Sequence, residues 1–339
     1  MLLRSPDRTN LTLSTTREDL ITFMLDVIVS LVAASVLIGV VYGLVFWGNR
    51  ANSDRSALVG IYLLFGLPGG LLTLAGLALS TNGQVGGPLI LGLGLAFSLP
   101  LLKPFRRLIA RFTPMDPASP IDLCGLAMIL AVITFLVIQA RLTGPVELGE
   151  GESGALAGNA AWLILTMLTF VAVAYASVGY RIYRTGNDAT KRLGLTVPDL
   201  KTIGIGLAFV IPCFIVSMIG SLLTVAFQPD IVDNVEETMD QITNGLQNPL
   251  GALMIGLTAG IGEEILFRGA VQQRFGIGIA ALLWTSLHFQ YDFSFILVGL
   301  FGVGILLGIM RKYFGTTSAI ITHAVYNMIV VGIQYASTR

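Results

Sequence analysis

From Val27 to Gly48 no residue carries a charge. A helix needs about 20 apolar residues to cross the hydrocarbon core of a bilayer, so this run exceeds one crossing. The pattern repeats along the chain. Apolar segments occupy roughly 20–48, 57–80, 88–102, 121–140, 159–180, 201–227, 250–274, 277–290, 294–311 and 316–336. Backbone groups inside lipid must be satisfied within the segment itself, which leaves helices as the spanning element for such runs. The 339 residues are 54% hydrophobic and 12% charged, with a mean hydropathy of +0.81. Soluble domains carry about 25% charge, and a surface this poor in charge suits lipid. The expected fold is all-α, a polytopic transmembrane helix bundle. The third and eighth segments are short for a full crossing, which gives 8–10 spans.

Loop charges follow the same order. Arg50 and Arg55 follow the first segment. Lys103, Arg106, Arg107 and Arg111 follow the third, and Arg181, Arg184, Lys191 and Arg192 the fifth. Arg268 and Arg274 end the seventh, and Arg311 and Lys312 the ninth. The intervening loops are neutral (TNGQVGGP) or acidic (VELGEGES, QPDIVDNVEETMD). Lys and Arg thus alternate sides, as the positive-inside rule requires, and ten spans would leave both termini outside. The chain divides into a polar tail (1–19), N-terminal helices without a recognised motif (20–228), an acidic amphipathic loop (229–249) and a chemistry-bearing region (250–336). The first apolar run is too long for a signal-peptide core and is read as an uncleaved first span.

Two connectors look interfacial. In PFRRLIARF, Phe105, Leu108, Ile109 and Phe112 share one face and the arginines take the other, which predicts a short helix on the inner membrane surface. Ile231, Val235, Met239, Ile242 and Leu246 predict an acidic amphipathic helix outside, a solvated connector or a lid. The formal net charge is zero, so no global field points to nucleic acid. Cys124 and Cys213 lie in separate apolar stretches without CxxC spacing and read as packing residues.

Within the seventh segment sits GIGEEILFRG. A charge at the centre of a membrane helix costs about 2.5–3.5 kcal/mol, so Glu263, Glu264 and Arg268 need compensation. Glu264 and Arg268 stand four apart on one face in the favourable order. Glu263 is rotated about 100° away and lacks that partner. Thirteen residues, Leu250 to Gly262, place it roughly 20 Å from the outer end, about 10 Å beneath the inner surface of a ~30 Å core. The chain holds two histidines, both in the segments that follow. His288 ends ALLWTSLHF, and His323 opens HAVYN with Asn327 one turn on. Imidazoles on such segments can bind a metal or orient a water. A carboxylate can activate that water, and an amide can steady an oxyanion. That is an inventory for amide hydrolysis.

EEILFR fits EExxxR, WTSLH resembles FxxxH with Trp284 in place of Phe, and HAVYN fits HxxxN. In that order the three motifs resemble the CAAX-protease and bacteriocin-processing family of intramembrane proteases, related to the type II CAAX prenyl endopeptidase and also called Abi, over about residues 250–336. The resemblance implies an intramembrane protease acting on a membrane-associated peptide or protein from within the bilayer of the cell membrane. Glu263 would be the base that activates water, with Glu264 and Arg268 as its supporting pair. His288 and His323 would hold the water or a zinc or other divalent metal, and Asn327 would stabilise the oxyanion. Two other classes compete: a non-catalytic scaffold or immunity protein using the same cavity, and a proton-coupled transporter. The absence of a recognisable repeat with broken helices speaks against the transporter. G-E-S-G at 151–154 matches a rhomboid motif, but Ser153 lies in an acidic loop with no base at hand. Tyr291–Asp292 lacks the GxGD partner of the aspartyl class, and HExxH is absent.

Overall fold

The structure is a computed structural model that describes residues 17–143, 155–243 and 245–337. Ser153 lies outside them, as does the side chain of Ile242. Thirteen α-helices are described: α1 (Arg17–Arg50), α2 (Arg55–Thr81), α3 (Gly87–Ser98), α4 (Lys103–Ala110), α5 (Pro120–Thr143), α6 (Ala155–Ser177), α7 (Gly186–Leu193), α8 (Leu200–Phe227), α9 (Val232–Thr243), α10 (Pro249–Glu263), α11 (Gln272–Ser286), α12 (Phe295–Phe314) and α13 (Thr316–Ser337). A π-helical turn, Glu264–Val271, joins α10 to α11. No named strand forms among the described residues. Eight helical segments are long and apolar enough to cross a membrane. The chain is an all-α polytopic bundle and an integral membrane protein.

The two short apolar segments are short for different reasons. α3 packs against α2 through small residues. A Cβ on Gly76 would come within 2.2 Å of the Leu91 nitrogen, and one on Gly94 within 2.3 Å of the Thr73 nitrogen. Such small-residue contacts let membrane helices approach closely where no hydrophobic drive separates helix from lipid. The chain then turns by 85° into α4, at an extended Leu102 (φ −80°, ψ 116°) ahead of Pro104. Leu108 and Phe112 remain exposed, as an interfacial helix requires. Arg106 departs from the expected polar face. It is buried and donates to the Pro117 carbonyl (2.8 Å), to the Pro100 carbonyl (2.5 Å) and to the Tyr62 hydroxyl (3.4 Å). It pins α4 to the bundle.

The other short segment is a return arm. Pro249–Ser286 reads as one long helical stretch, but Gly276 holds φ 79° and ψ 172°, a region open almost only to glycine. The indole Nε1–H of Trp284 donates to Glu263 Oε2 across 21 positions. A continuous helix would hold those residues about 31 Å apart, so the chain reverses at Gly276, and the rest of α11 returns to the level of Glu263 packed against α12 and the π turn. Beyond it the loop 288–294 meets the end of α8. Gln228 donates to the Phe293 carbonyl (3.2 Å) and accepts from the Phe295 N–H (3.0 Å).

α9 covers this same end. Met239 Sδ accepts from the Tyr291 hydroxyl (3.0 Å), and Asp240 accepts from Gln334 of α13 (2.7 Å). The principal core gathers Leu126, Cys213, Phe267, Phe275, Leu283, Trp284, Leu307, Met310 and Ala319. It is built from α5, α8, the π turn and α11 to α13, the helices that surround the charged residues.

Candidate active site

Close approach of α10 and α13 comes first, because it carries His323 to the glutamates. A Cβ on Gly256 would meet the Ala324 carbonyl oxygen at 2.6 Å, and one on Gly260 the Ala324 nitrogen at 2.9 Å. This Gly-xxx-Gly spacing lets two backbones nearly touch. Gly262 performs the same service toward α6, where a Cβ would lie 2.9 Å from Met167 Cα.

Glu264 and Arg268 are fully buried, with 0% side-chain exposure each. Glu264 Oε1 accepts from His323 Nδ1 at 2.9 Å, and Oε2 lies 3.3 Å from Arg268 Nε as an ion pair. Arg268 Nη2 donates weakly to the Gly304 carbonyl at 3.5 Å, and its Cζ stands 5.0 Å from the Trp284 ring centre. One turn on, Gln272 Nε2 donates to the Gly308 carbonyl at 2.8 Å. The i, i+4 pairing expected of Glu264 and Arg268 is therefore present, although it sits on a π turn. Such bulges of the helical ladder are rare and concentrate at functional sites.

Glu263 faces another way. It is half-buried, and the polar partner it has is Trp284 Nε1. Trp284 itself is 2% exposed and stands among all the charged residues. Its ring lies 4.8 Å from that of His288 and 5.6 Å from that of His323, the latter edge-on at 88°. Its carbonyl oxygen accepts from His288 Nδ1 at 3.1 Å. Glu263, His288 and His323 thus converge on one aromatic side chain. Asn327 follows His323 by one turn on α13, half-buried, with no side-chain hydrogen bond among the described residues.

Trp284, which the motif reading treats only as a substitute aromatic, is the side chain on which the candidate residues meet. The signal was available: a buried indole N–H seeks an acceptor, and Phe at that position would offer no donor. The pairing of His323 with Glu264 was equally unforeseen, since Glu263 had been expected to face both imidazoles.

Among the described residues, the Nδ1 bonds leave Nε2 of both imidazoles without a protein hydrogen bond. A metal-bound imidazole is commonly oriented this way, by a carbonyl or carboxylate on its other nitrogen. Among the described residues, however, no three His, Cys, Asp or Glu side chains form a group able to hold a metal ion. The imidazoles of His288 and His323 are the donors these residues supply.

No curated protein and no solved structure matches the chain. Against known families, residues 245–329 match the family described as Type II CAAX prenyl endopeptidase Rce1-like, the family that the three motifs resemble.

Proposed function

We propose that the chain is an intramembrane endopeptidase that hydrolyses a peptide bond in a membrane-associated substrate of the cell membrane. The observation that carries this reading is the convergence of Glu263, His288 and His323 on Trp284, inside the segment that matches a protease family.

The Nε2 atoms of His288 and His323 hold the attacking water. Glu263 Oε2 is oriented by the indole N–H, and the carboxylate takes a proton from that water as its oxygen bonds to the scissile carbonyl carbon. The amide N–H of Asn327 donates to the oxyanion that develops on the former carbonyl oxygen. As the carbon–nitrogen bond breaks, the proton passes from Glu263 to the leaving amine. Glu264 accepts from His323 Nδ1–H, so the lone pair of Nε2 faces the water, and Arg268 balances the buried carboxylate. The family's name points to a prenylated C-terminal peptide as the substrate class. His288 and His323 would hold a divalent metal if one bound, and it would polarise the same water; no step here passes through it.

Cleavage of a quenched farnesylated CAAX-type peptide in proteoliposomes tests the reading. E263Q and H323A should abolish turnover while the proteins still insert and purify as the wild type does. Turnover retained in both would overturn it. A cellular phenotype that survives E263Q would favour the non-catalytic scaffold.

A further inference from the structure

On the side of the bundle opposite α9, four arginines from separate parts of the chain meet around the C-terminal end of α7. Arg274 precedes the Gly276 turn; it is bonded to Asp122 of α5 and donates to the Tyr183 hydroxyl at 3.1 Å. Arg184 lies over the Tyr183 ring at 4.8 Å. The Arg192 carbonyl accepts from Gln273, the neighbour of Arg274. Arg311, in the last turn of α12, brings Cζ and Nη2 within 2.7 Å of where a Cβ on Gly194 would be.

All four are half-buried, and their charges are poorly met. Asp122 is committed to Arg274, and Asp188 lies within electrostatic range of Arg184. Among the described residues, neither Arg192 nor Arg311 has a carboxylate at ion-pair distance. Arg311 Nε is buried without an acceptor. Burial first, and then the neighbouring Arg274 and Arg184, hold the Arg192 guanidinium below its ordinary range. Bringing like charges from residues 184, 192, 274 and 311 into one half-buried cluster is unfavourable unless an anion joins them.

We propose that this cluster is a binding site for a phosphate-bearing anion, with Arg192 and Arg311 supplying the free donors. Planar guanidiniums match phosphate oxygens in bidentate geometry. Arg311 closes a candidate span, and Tyr313 and Phe314 beside it are exposed. Aromatic residues next to basic ones are the pattern of the headgroup level, where basic pockets between membrane helices take anionic lipid heads. The source the surroundings favour is therefore an anionic phospholipid.

The test uses the full chain in nanodiscs of phosphatidylcholine alone, or with phosphatidylglycerol added, and reads phosphatidylglycerol retention and thermal midpoint. Each surface cation is worth about fivefold in affinity for an anionic membrane, so R192Q/R311Q should weaken retention about thirtyfold and abolish the lipid-dependent gain in midpoint. R107Q/K312Q, which removes the same number of cations from exposed positions outside the cluster, should leave the lipid-dependent gain in midpoint in place and lower retention less than R192Q/R311Q does. Millimolar inorganic phosphate added to phosphatidylcholine discs separates the sources. Equal protection by phosphate would keep the anion site and assign it to a solute. R311Q alone serves if the double variant misfolds. Equal lipid dependence in wild type and R192Q/R311Q, or an equal loss in R107Q/K312Q, would overturn the proposal.

Discussion

Replacing Trp284 by Phe removes one hydrogen-bond donor and keeps an aromatic ring between the two imidazoles. The lost bond is charge-assisted, from the indole Nε1–H to Glu263 Oε2. Hydrogen bonds to charged groups contribute about 1.5–3 kcal/mol. If that orientation is realised in the transition state, kcat should fall by about one to two orders of magnitude while KM moves little. The packing loss is a separate and smaller effect. Trp284 is 2% exposed, and a full truncation to Ala would cost about 3–5 kcal/mol of stability, but Phe retains most of the ring contacts. Steady-state cleavage of the farnesylated peptide, with the thermal midpoint measured on the same preparation, separates the two effects. Wild-type kcat in W284F would refute the coupling.

R268M leaves Glu264 buried without its cation, and breaking such a pair costs about 3–5 kcal/mol. Denaturant titration in detergent should show that loss, with E264Q/R268M recovering part of it. G276A forces a Cβ into a backbone at φ 79°, a strain of about 1–3 kcal/mol; the thermal midpoint should fall, and cleavage should fall further as the α11 arm shifts. Asp54 caps α2 by accepting from the Ser56 and Ala57 amides, and the Ser56 hydroxyl above all, then Arg50, lowers its carboxyl from 3.8 to about 2. A depressed folded-state value means the cap's stabilisation is complete above pH 3.8 and is lost as the pH falls through about 2. The acid limb of the stability profile should therefore be shallower in D54N than in the wild type.

Which parts of this molecule could be read from its residues follows from how far each signal reaches. Hydropathy and loop charge act over whole segments, so the all-helical bundle and its approximate span count were legible. The pairing of Glu264 with Arg268 depends only on helical spacing, and it too was legible. The break at Gly276 was legible as the gap between the seventh and eighth segments, just after Arg274, but its sense was not, because hydropathy does not say whether a short segment crosses or turns back. The burial of Arg106 was hidden for a related reason. An amphipathic pattern assigns every arginine to water, whereas carbonyls in the neighbouring loop and turn supplied a buried one with acceptors. His323 reached Glu264 because glycines on α10 admit α13 to backbone contact. Small residues read from one helix do not say which helix they face.

Two adjacent glutamates in one membrane helix are best understood through what each is denied. Glu264 is enclosed completely: Oε1 accepts from His323, and Oε2, with no hydrogen-bond donor among the described residues, faces Arg268 as an ion pair. A carboxylate so enclosed and paired with a cation is a poor acceptor for a proton from a water, and its removal would leave a buried cation behind. Glu263 is half-buried, carries a single donor and has no cation at ion-pair distance among the described residues. Its remaining lone pairs are free to take a proton. The rotation of about 100° between neighbours on a helix therefore divides the labour: one carboxylate fixes an imidazole, and the other stays available to react. Exchanging their surroundings tests this directly. E264Q should weaken the hold on His323 and lower both stability and kcat, whereas E263Q should leave the fold intact and remove turnover. Equal stability losses in the two variants would show that the pair acts as one structural unit, and the assignment of the base to Glu263 would fall.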